Sequence, residues 1–300
     1  MSTVLRFLNV SKQFRSLTAL EDLNLQVQEA SVYGFIGPNG AGKTTAIKIL
    51  MNLVAPTSGQ AEILGCHSRH LGPALLERIG YVSENQKMPD WMTVEYLLKY
   101  LKPFYPMWDD QRAQELIEQF NLPLDRKLRH LSRGMWMKAA FASSLAYRPK
   151  LLVLDEPFSG LDPLVREELI EGLVESAEET TIFISSHDLA DIESFASHIG
   201  YIDRGRLQFS EEMSSLSARF RQVEVVADSP ADVRGPQWPE HWLRPEAAPP
   251  LIRFVDTHFD PERTNVEIRR LFGDVQRVSV NAMPLRAIFV TLARNGSKAA

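Results

Sequence analysis

The stretch Gly37-Pro38-Asn39-Gly40-Ala41-Gly42-Lys43-Thr44-Thr45 decides how this 300-residue chain is read. Gly37, Gly42, Lys43 and Thr44 fit the pattern G-x-x-x-x-G-K-[ST]. Ahead of it, Val32 to Ile36 has the composition of a short buried strand. Behind it, Thr45 to Leu53 reads as an apolar helix. Strand, glycine loop and helix in that order make a phosphate cradle. Glycines let successive backbone N–H groups turn inward with no Cβ in the way, and the helix N-terminus adds its positive end. Lys43 would bridge the β- and γ-phosphates, and the Thr44 hydroxyl would sit on Mg²⁺. A chance glycine-rich turn would not need the flanking strand and helix. The pattern implies a nucleoside triphosphate site.

Before the loop, Val4 to Val10 alternates loosely as a strand, and Leu20, Leu23, Leu25 and Val27 suggest a second strand pairing back. Phe14 between them could stack on a purine, although by residue type alone it reads as core. After the loop, Ala61 to Gly65 and Ile79 to Val82 read as strands, the second delivering Ser83-Glu84-Asn85 at its carboxyl end. Ligands of open α/β sheets bind off such ends, so Glu84 reads equally as a site residue and as a solvated loop carboxylate. Residues 91–131 change character. Val94, Leu97, Leu98 and Leu101 keep helical spacing, as do Leu116, Ile117 and Phe120, with Pro103 and Pro106 breaking the chain between them. This predicts a helical insertion with one apolar face and most of its aromatics in the core.

Leu131-Ser132-Arg133-Gly134-Met135 leads into a long apolar helix, Trp136 to Tyr147. Leu151 to Leu154 is a continuous apolar run, as in a parallel strand buried on both faces, and it ends in Asp155-Glu156-Pro157. Two acids at the end of a buried strand are costly unless a cation or water uses them. Ser159-Gly160-Leu161-Asp162-Pro163 turns into a helix. Thr181 to Ile184 is the next buried strand, and it delivers Ser185-Ser186-His187. Tyr201 to Phe209 predicts a hairpin turning at Gly205.

Beyond residue 214 the composition shifts. Seven of the 18 prolines lie between Pro230 and Pro261, marking a loop-rich boundary. Strands are expected at Val223–Val226, Leu251–Val255 and Val275–Val280, with helices at Asn265–Phe272 and Pro284–Arg294. The expected division is therefore 1–214, with a helical insertion at about 88–147, followed by a small α+β extension at 215–300.

Apolar content of 44% and charged content of 24% suit a folded soluble chain. A net charge of −5, with 12 basic against 12 acidic residues in 211–300, argues against nucleic acid as a partner. Cys66 is the single cysteine, so a reducing compartment is expected. Met1 to Arg6 lacks the features of a secretory leader, and no apolar run is long enough to span a bilayer.

The phosphate loop, Ser83-Glu84, Leu131 to Met135, Leu151 to Glu156, Ser159 to Asp162 and His187 stand in one order. Together they closely resemble the ATP-binding cassette (ABC) family, specifically the nucleotide-binding subunit of an ABC transporter, over roughly residues 1–215. The resemblance implies an α/β P-loop NTPase core with an antiparallel β subdomain and a helical insertion, and ATP and Mg²⁺ as ligands. It gives Phe14 to adenine and the loop residues Gly37 to Thr45 to the phosphates. Thr44, Glu84 and Asp155 fall on the Mg²⁺ side. Glu156 would polarise the attacking water, and Lys43 and His187 would contact the γ-phosphate. Ser132 and Gly134 would close over ATP held by an opposite subunit, with Asp162 working across the same interface.

Two departures stand out. The family's usual LSGGQ is here Leu-Ser-Arg-Gly-Met, so Arg133 adds a charge and Met135 replaces an amide. The usual glutamine is Glu84, which accepts hydrogen bonds but cannot donate as glutamine does. Both look like variants of bacterial exporter ATPases with separate membrane subunits. The expected working unit is a homodimer, or a pair with a second ATPase subunit, on a transmembrane permease at the cytoplasmic face of the cell membrane. The alternative is a soluble ABC ATPase not coupled to transport. Such proteins usually carry two cassettes, long coiled-coil insertions or zinc-type cysteine pairs, none of which this sequence has.

Overall fold

The computed structural model describes residues 2–227, 238–248 and 250–296. Pro230, Pro236 and Pro249 of the proline-rich stretch lie outside the described residues. Two compact units emerge, Met1–Ser210 and Glu211–Ala300.

In the first unit the elements run β1 (Thr3–Phe14), β2 (Leu17–Gln28), β3 (Val32–Ile36), α1 (Lys43–Leu50), β4 (Ser58–Ile63), β5 (Cys66–His67), α2 (Pro73–Leu76) and β6 (Ile79–Ser83). They continue as α3 (Val94–Leu101), α4 (Asp110–Gln119), α5 (Arg133–Leu145), β7 (Leu151–Asp155), α6 (Pro163–Ser176), β8 (Thr181–Ser186), β9 (His198–Asp203) and β10 (Arg206–Glu212). A central sheet has the order β10-β9-β3-β8-β7-β6, in which β9, β3, β8, β7 and β6 run parallel. Every residue of β3, β7 and β8 is buried, which explains why these strands read as continuous apolar runs. A second, antiparallel sheet has the order β2-β1-β4-β5. Its inward residues Leu5, Phe7, Leu23 and Leu25 share one core with Phe35 of β3 and with Ile47 and Leu50 of α1. Burying each such side chain contributes about 1.5–3 kcal/mol. That shared core fixes the glycine loop between the two sheets.

The helical insertion corrects one expectation. Val94, Leu97 and Leu98 bury one face of α3, and Leu116 and Phe120 bury one side of the α4 segment. Most of the aromatics do not follow them inward. Trp91, Tyr96, Tyr100 and Phe104 are all exposed, Trp91 at 56% and Tyr96 at 50%. Tyr96 and Tyr100 stand on the side of α3 opposite its apolar stripe, and each pairs with an aromatic flanking the helix: Trp91 with Tyr96, and Tyr100 with Phe104, each at 5.5 Å between ring centroids. Helical period told which residues share a face, not which face the protein covers.

The second unit continues with α7 (Met213–Arg219), β11 (Arg221–Ala227), β12 (Trp242–Ala248), β13 (Leu251–Asp256), α8 (Pro261–Phe272), β14 (Val275–Ala282) and α9 (Leu285–Gly296). The strands form a sheet of order β12-β13-β11-β14. Trp242 stacks on Phe254 at 3.7 Å between centroids, over a small core with Val223, Val225, Ile252 and Ile268. Strand β12 is absent from the sequence reading because it carries Pro245. As an edge strand it tolerates the missing N–H, with a register shift between Leu243 and Glu246 and Arg244 at φ 50. Among the described residues no helix is long and apolar enough to cross a membrane.

Candidate active site at four strand ends

The central sheet sets adjacent strands in the order β3, β8, β7, β6, and each delivers a singled-out segment at its carboxyl end. The glycine loop follows β3, His187 follows β8, Asp155 and Glu156 end β7, and Glu84 follows β6. Two glycines of the loop are required by close approach. A Cβ on Gly37 would stand 2.2 Å from the Ile202 carbonyl oxygen. A Cβ on Gly42, at φ +109, would stand 2.5 Å from the Ala19 carbonyl oxygen. Gly42 then opens α1, whose first N–H groups face the loop.

Lys43 is buried, with its Nζ donating to the carbonyl oxygens of Gly37 at 2.6 Å and Pro38 at 3.1 Å. The same Nζ lies 3.0 Å from Glu156 Oε1, and Glu156 Oε2 lies 2.7 Å from His187 Nδ1. Thus the three residues expected to act on a γ-phosphate and its attacking water form one continuous chain. Glu156 sits at φ 52, in the left-handed region that a non-glycine residue occupies at a cost of order 1–3 kcal/mol. Its backbone N–H donates to Ser185 Oγ at 3.0 Å, one of the contacts that hold it there.

Beside this chain, Thr44 Oγ1 and Ser185 Oγ both donate to Asp155 Oδ1, at 3.0 and 2.9 Å. Burial pushes the Asp155 carboxyl above its usual range, against the pull of these two hydroxyls, and the neighbouring Glu156 charge adds to the rise. Among the described residues no cluster of three or more His, Cys, Asp or Glu could cage a metal. One hydroxyl beside one carboxylate nevertheless fits Mg²⁺, which keeps several waters and uses one or two protein groups together with phosphate oxygens.

A stability prediction follows from Asp155. A carboxyl whose folded-state value is raised stabilises the fold fully below the unfolded value, and loses that contribution as pH rises through the folded value. At neutral pH the ionised buried acid is therefore a cost to the nucleotide-free chain. Asp155→Asn is expected to raise the melting temperature by about 2–4 °C at neutral pH, on the order of 1 kcal/mol. Thermal melts should show the gain shrinking on acidification toward the ordinary carboxylate range. A gain that stays constant with pH would contradict the buried-charge origin.

Other expected residues lie apart from this cluster. Phe14, expected from residue type to be core, is instead 44% exposed, with Lys12 Nζ 4.7 Å from its ring centroid. It stands at the end of β1, where the strand leaves the shared core. Ser132 is exposed and caps α5 by accepting from the Met135 N–H at 3.3 Å. Gly134 packs against Val165, where a Cβ would come within 2.9 Å. Asp162 is exposed and caps α6 by accepting from the Val165 N–H at 3.1 Å. The Glu84 N–H donates to the Asp155 carbonyl oxygen at 3.0 Å, but its carboxylate is bonded to Arg133 and Ser159 rather than to Thr44. Sequence reasoning gave no role to Ser185, which supports both acids of β7. It also passed over Asp191, buried beneath His187, which accepts from Ser186 Oγ at 2.8 Å and pairs with Arg166 at 2.6 Å. The Ser185-Ser186 pair immediately before a strand-end histidine was the available signal.

Comparison with known proteins gives consistent findings. A profile of the ABC transporter family matches residues 20–159. The chain is 34% identical over 226 residues to the bacitracin transport ATP-binding protein BcrA of Bacillus licheniformis, covering 74% of each chain. Its fold is similar to a solved ATP binding subunit of an ABC transporter, at 26% identity and TM-score 0.65, over 72% of this chain and 92% of that one. It is also similar to the dimeric post-hydrolysis structure of the ATP-binding cassette MJ0796 bound to ADP and Pi, at 25% identity and TM-score 0.61, over 70% and 98%.

Proposed function

This chain belongs to the ABC transporter family as an ATP-binding, ATP-hydrolysing subunit, and from that premise we propose that it powers export through a separate membrane-spanning subunit. The observation that carries the assignment of roles is the Lys43–Glu156–His187 chain beside the Thr44–Asp155 pair. Glu156 occupies Lys43 and His187 in the nucleotide-free chain. A γ-phosphate arriving in the loop competes for both partners and leaves the Glu156 carboxylate to take a water. His187 then has its ring nitrogen turned toward the phosphate, and the loop N–H groups between Asn39 and Thr45 share its charge. Phosphoryl transfer needs this positioning and dispersed charge more than covalent chemistry. Thr44 and Asp155, with Glu84 nearby, would hold Mg²⁺, which supplies charge neutralisation at the phosphates when bound. Phe14, exposed at the end of β1, is assigned to the adenine.

Ser132 and Gly134 have no phosphate to cap within their own chain, so the working unit has two cassettes, identical or paired with a second ATPase subunit. Asp162 belongs to the same interface. The membrane partner is a permease, which puts the chain peripherally on the cytoplasmic face of the membrane. Its docking groove is proposed to lie along Glu84, Met88, Trp91 and Tyr96, and the exposed Trp91–Tyr96 pair supports this.

Trp91→Glu tests the coupling. Aromatic anchors at interface centres contribute about 2 kcal/mol or more, so permease affinity should fall roughly 30-fold. ATP binding by the isolated chain should be spared, because Trp91 is exposed and its ring pairs with Tyr96 rather than entering the strand-end cluster described above. Co-purification with the permease and equilibrium ATP binding are the paired measurements. Undiminished permease capture by Trp91→Glu would place the docking groove elsewhere, and function with no membrane polypeptide at all would favour a soluble ATPase instead.

A further inference from the structure

The two departures from the family pattern meet in space. Arg133 Nη2 donates to Glu84 Oε1 at 2.5 Å, and Ser159 Oγ donates to the same oxygen at 3.2 Å. One carboxylate oxygen thus joins three segments: the end of β6, the start of α5 and the turn that follows β7. The guanidinium also lies over Gly160, where a Cβ would stand 3.3 Å from its central carbon. Gly160 has φ +64, so a side chain there would be strained and would press the arginine outward.

Arg133 is the first residue of α5, the end of a helix at which a cation is electrostatically disfavoured. Helix formation does not call for an arginine at this position. The Glu84 carboxylate compensates it, and a glutamine at 84 would not do so fully. The cation at Arg133 is unfavourable for the helix alone and is compensated by the Glu84 carboxylate.

We propose that Arg133 is a positioning residue for Glu84. It holds the carboxylate on the Ser159 side of the site while the chain is nucleotide-free, and gives it up when nucleotide and Mg²⁺ bind. This rests on the metal-side role proposed for Glu84 above. Because Arg133 stands between Ser132 and Gly134, releasing Glu84 also releases the arginine of the capping motif. Loading of one site and readiness to cap the opposite site are therefore linked through a single ion pair. The pair is partly exposed, 47% for Arg133 and 28% for Glu84, so it is a light latch rather than a lock.

The test uses the full chain with R133K, R133Q and R133E. The first readout is amide hydrogen exchange of the nucleotide-free protein over 83–87 and 157–161. Exchange should stay near wild type in R133K and rise about threefold to fivefold in R133Q, the range of a partly exposed ion pair. It should rise further in R133E, where two carboxylates face each other. A purely helical role predicts the opposite for R133E, since an acid at the first position of α5 suits the helix dipole. The second readout is the Mg²⁺ concentration that half-saturates ATP hydrolysis, expected to fall by about threefold to fivefold in R133Q, by more than turnover changes. Equal exchange in wild type, R133Q and R133E would overturn the proposal, as would an unchanged Mg²⁺ requirement in an active R133Q protein. If exchange follows the charge order but no variant or wild type hydrolyses ATP, the latch stands and the proposed function fails.

Discussion

Glu156→Gln is expected to bind ATP and lower its steady-state turnover by about 10²–10³, the effect of losing one group that stabilises charge in a transition state. The geometry states why the loss is so selective. Glu156 ends the buried strand β7 at φ 52, with Lys43 Nζ 3.0 Å away on one oxygen and His187 Nδ1 2.7 Å away on the other. A glutamine fills the same space and retains a carbonyl oxygen for one of these partners. It cannot accept a proton from water, so the positioned water stays a poor nucleophile. Removing the negative charge also leaves Lys43 without its carboxylate partner, which favours the phosphate as the replacement. Binding should therefore hold or tighten while turnover collapses. Phosphate release under saturating ATP and equilibrium ATP binding separate the two. Wild-type turnover in Glu156→Gln would mean that another residue activates the water.

Much of this site was legible before any coordinates, for a physical reason. The loop from Gly37 to Thr45 is a backbone device, and backbone devices leave glycines at fixed spacing. Likewise, Leu151 to Leu154 and Thr181 to Ile184 had to be apolar without alternation because both faces of these strands are covered. Their ends then had to carry the acids and the histidine. What could not be read were contacts between side chains distant in sequence. Arg133 and Glu84 are 49 positions apart, and their charges were separate puzzles until the fold brought them together. Nor does spacing say which face of a helix stays uncovered, which is why most aromatics of the insertion were expected inside although Tyr96 and Tyr100 are exposed. Strand β12 was hidden by Pro245, whose missing N–H is tolerable only on the sheet edge that the sequence does not announce.

The second large effect concerns assembly. Ser132 is exposed at the start of α5, and its hydroxyl caps that helix. In a composite site it would close over the γ-phosphate held by the opposite chain. Ser132→Arg removes that contact and adds bulk, so association of the ATP-bound chains should weaken by about 100-fold, or about 3 kcal/mol, the cost of a lost hydrogen bond to a charged group. Losing the cap costs about 1 kcal/mol of α5 stability, which a unit with so much buried strand should tolerate. ATP binding to the isolated chain should be unaffected, because the loop after β3, to which we assign the chain's own phosphates, does not include Ser132.

Sedimentation of purified Glu156→Gln, with and without ATP and Mg²⁺, measures the shared two-cassette site directly. Without nucleotide the 34.0 kDa chain should sediment as a single species. With nucleotide it should shift to a species of twice that mass, and Ser132→Arg in the same background should abolish the shift. ATP bound at full occupancy with no change in mass, even in the presence of the permease, would contradict a site completed by a second copy of this chain.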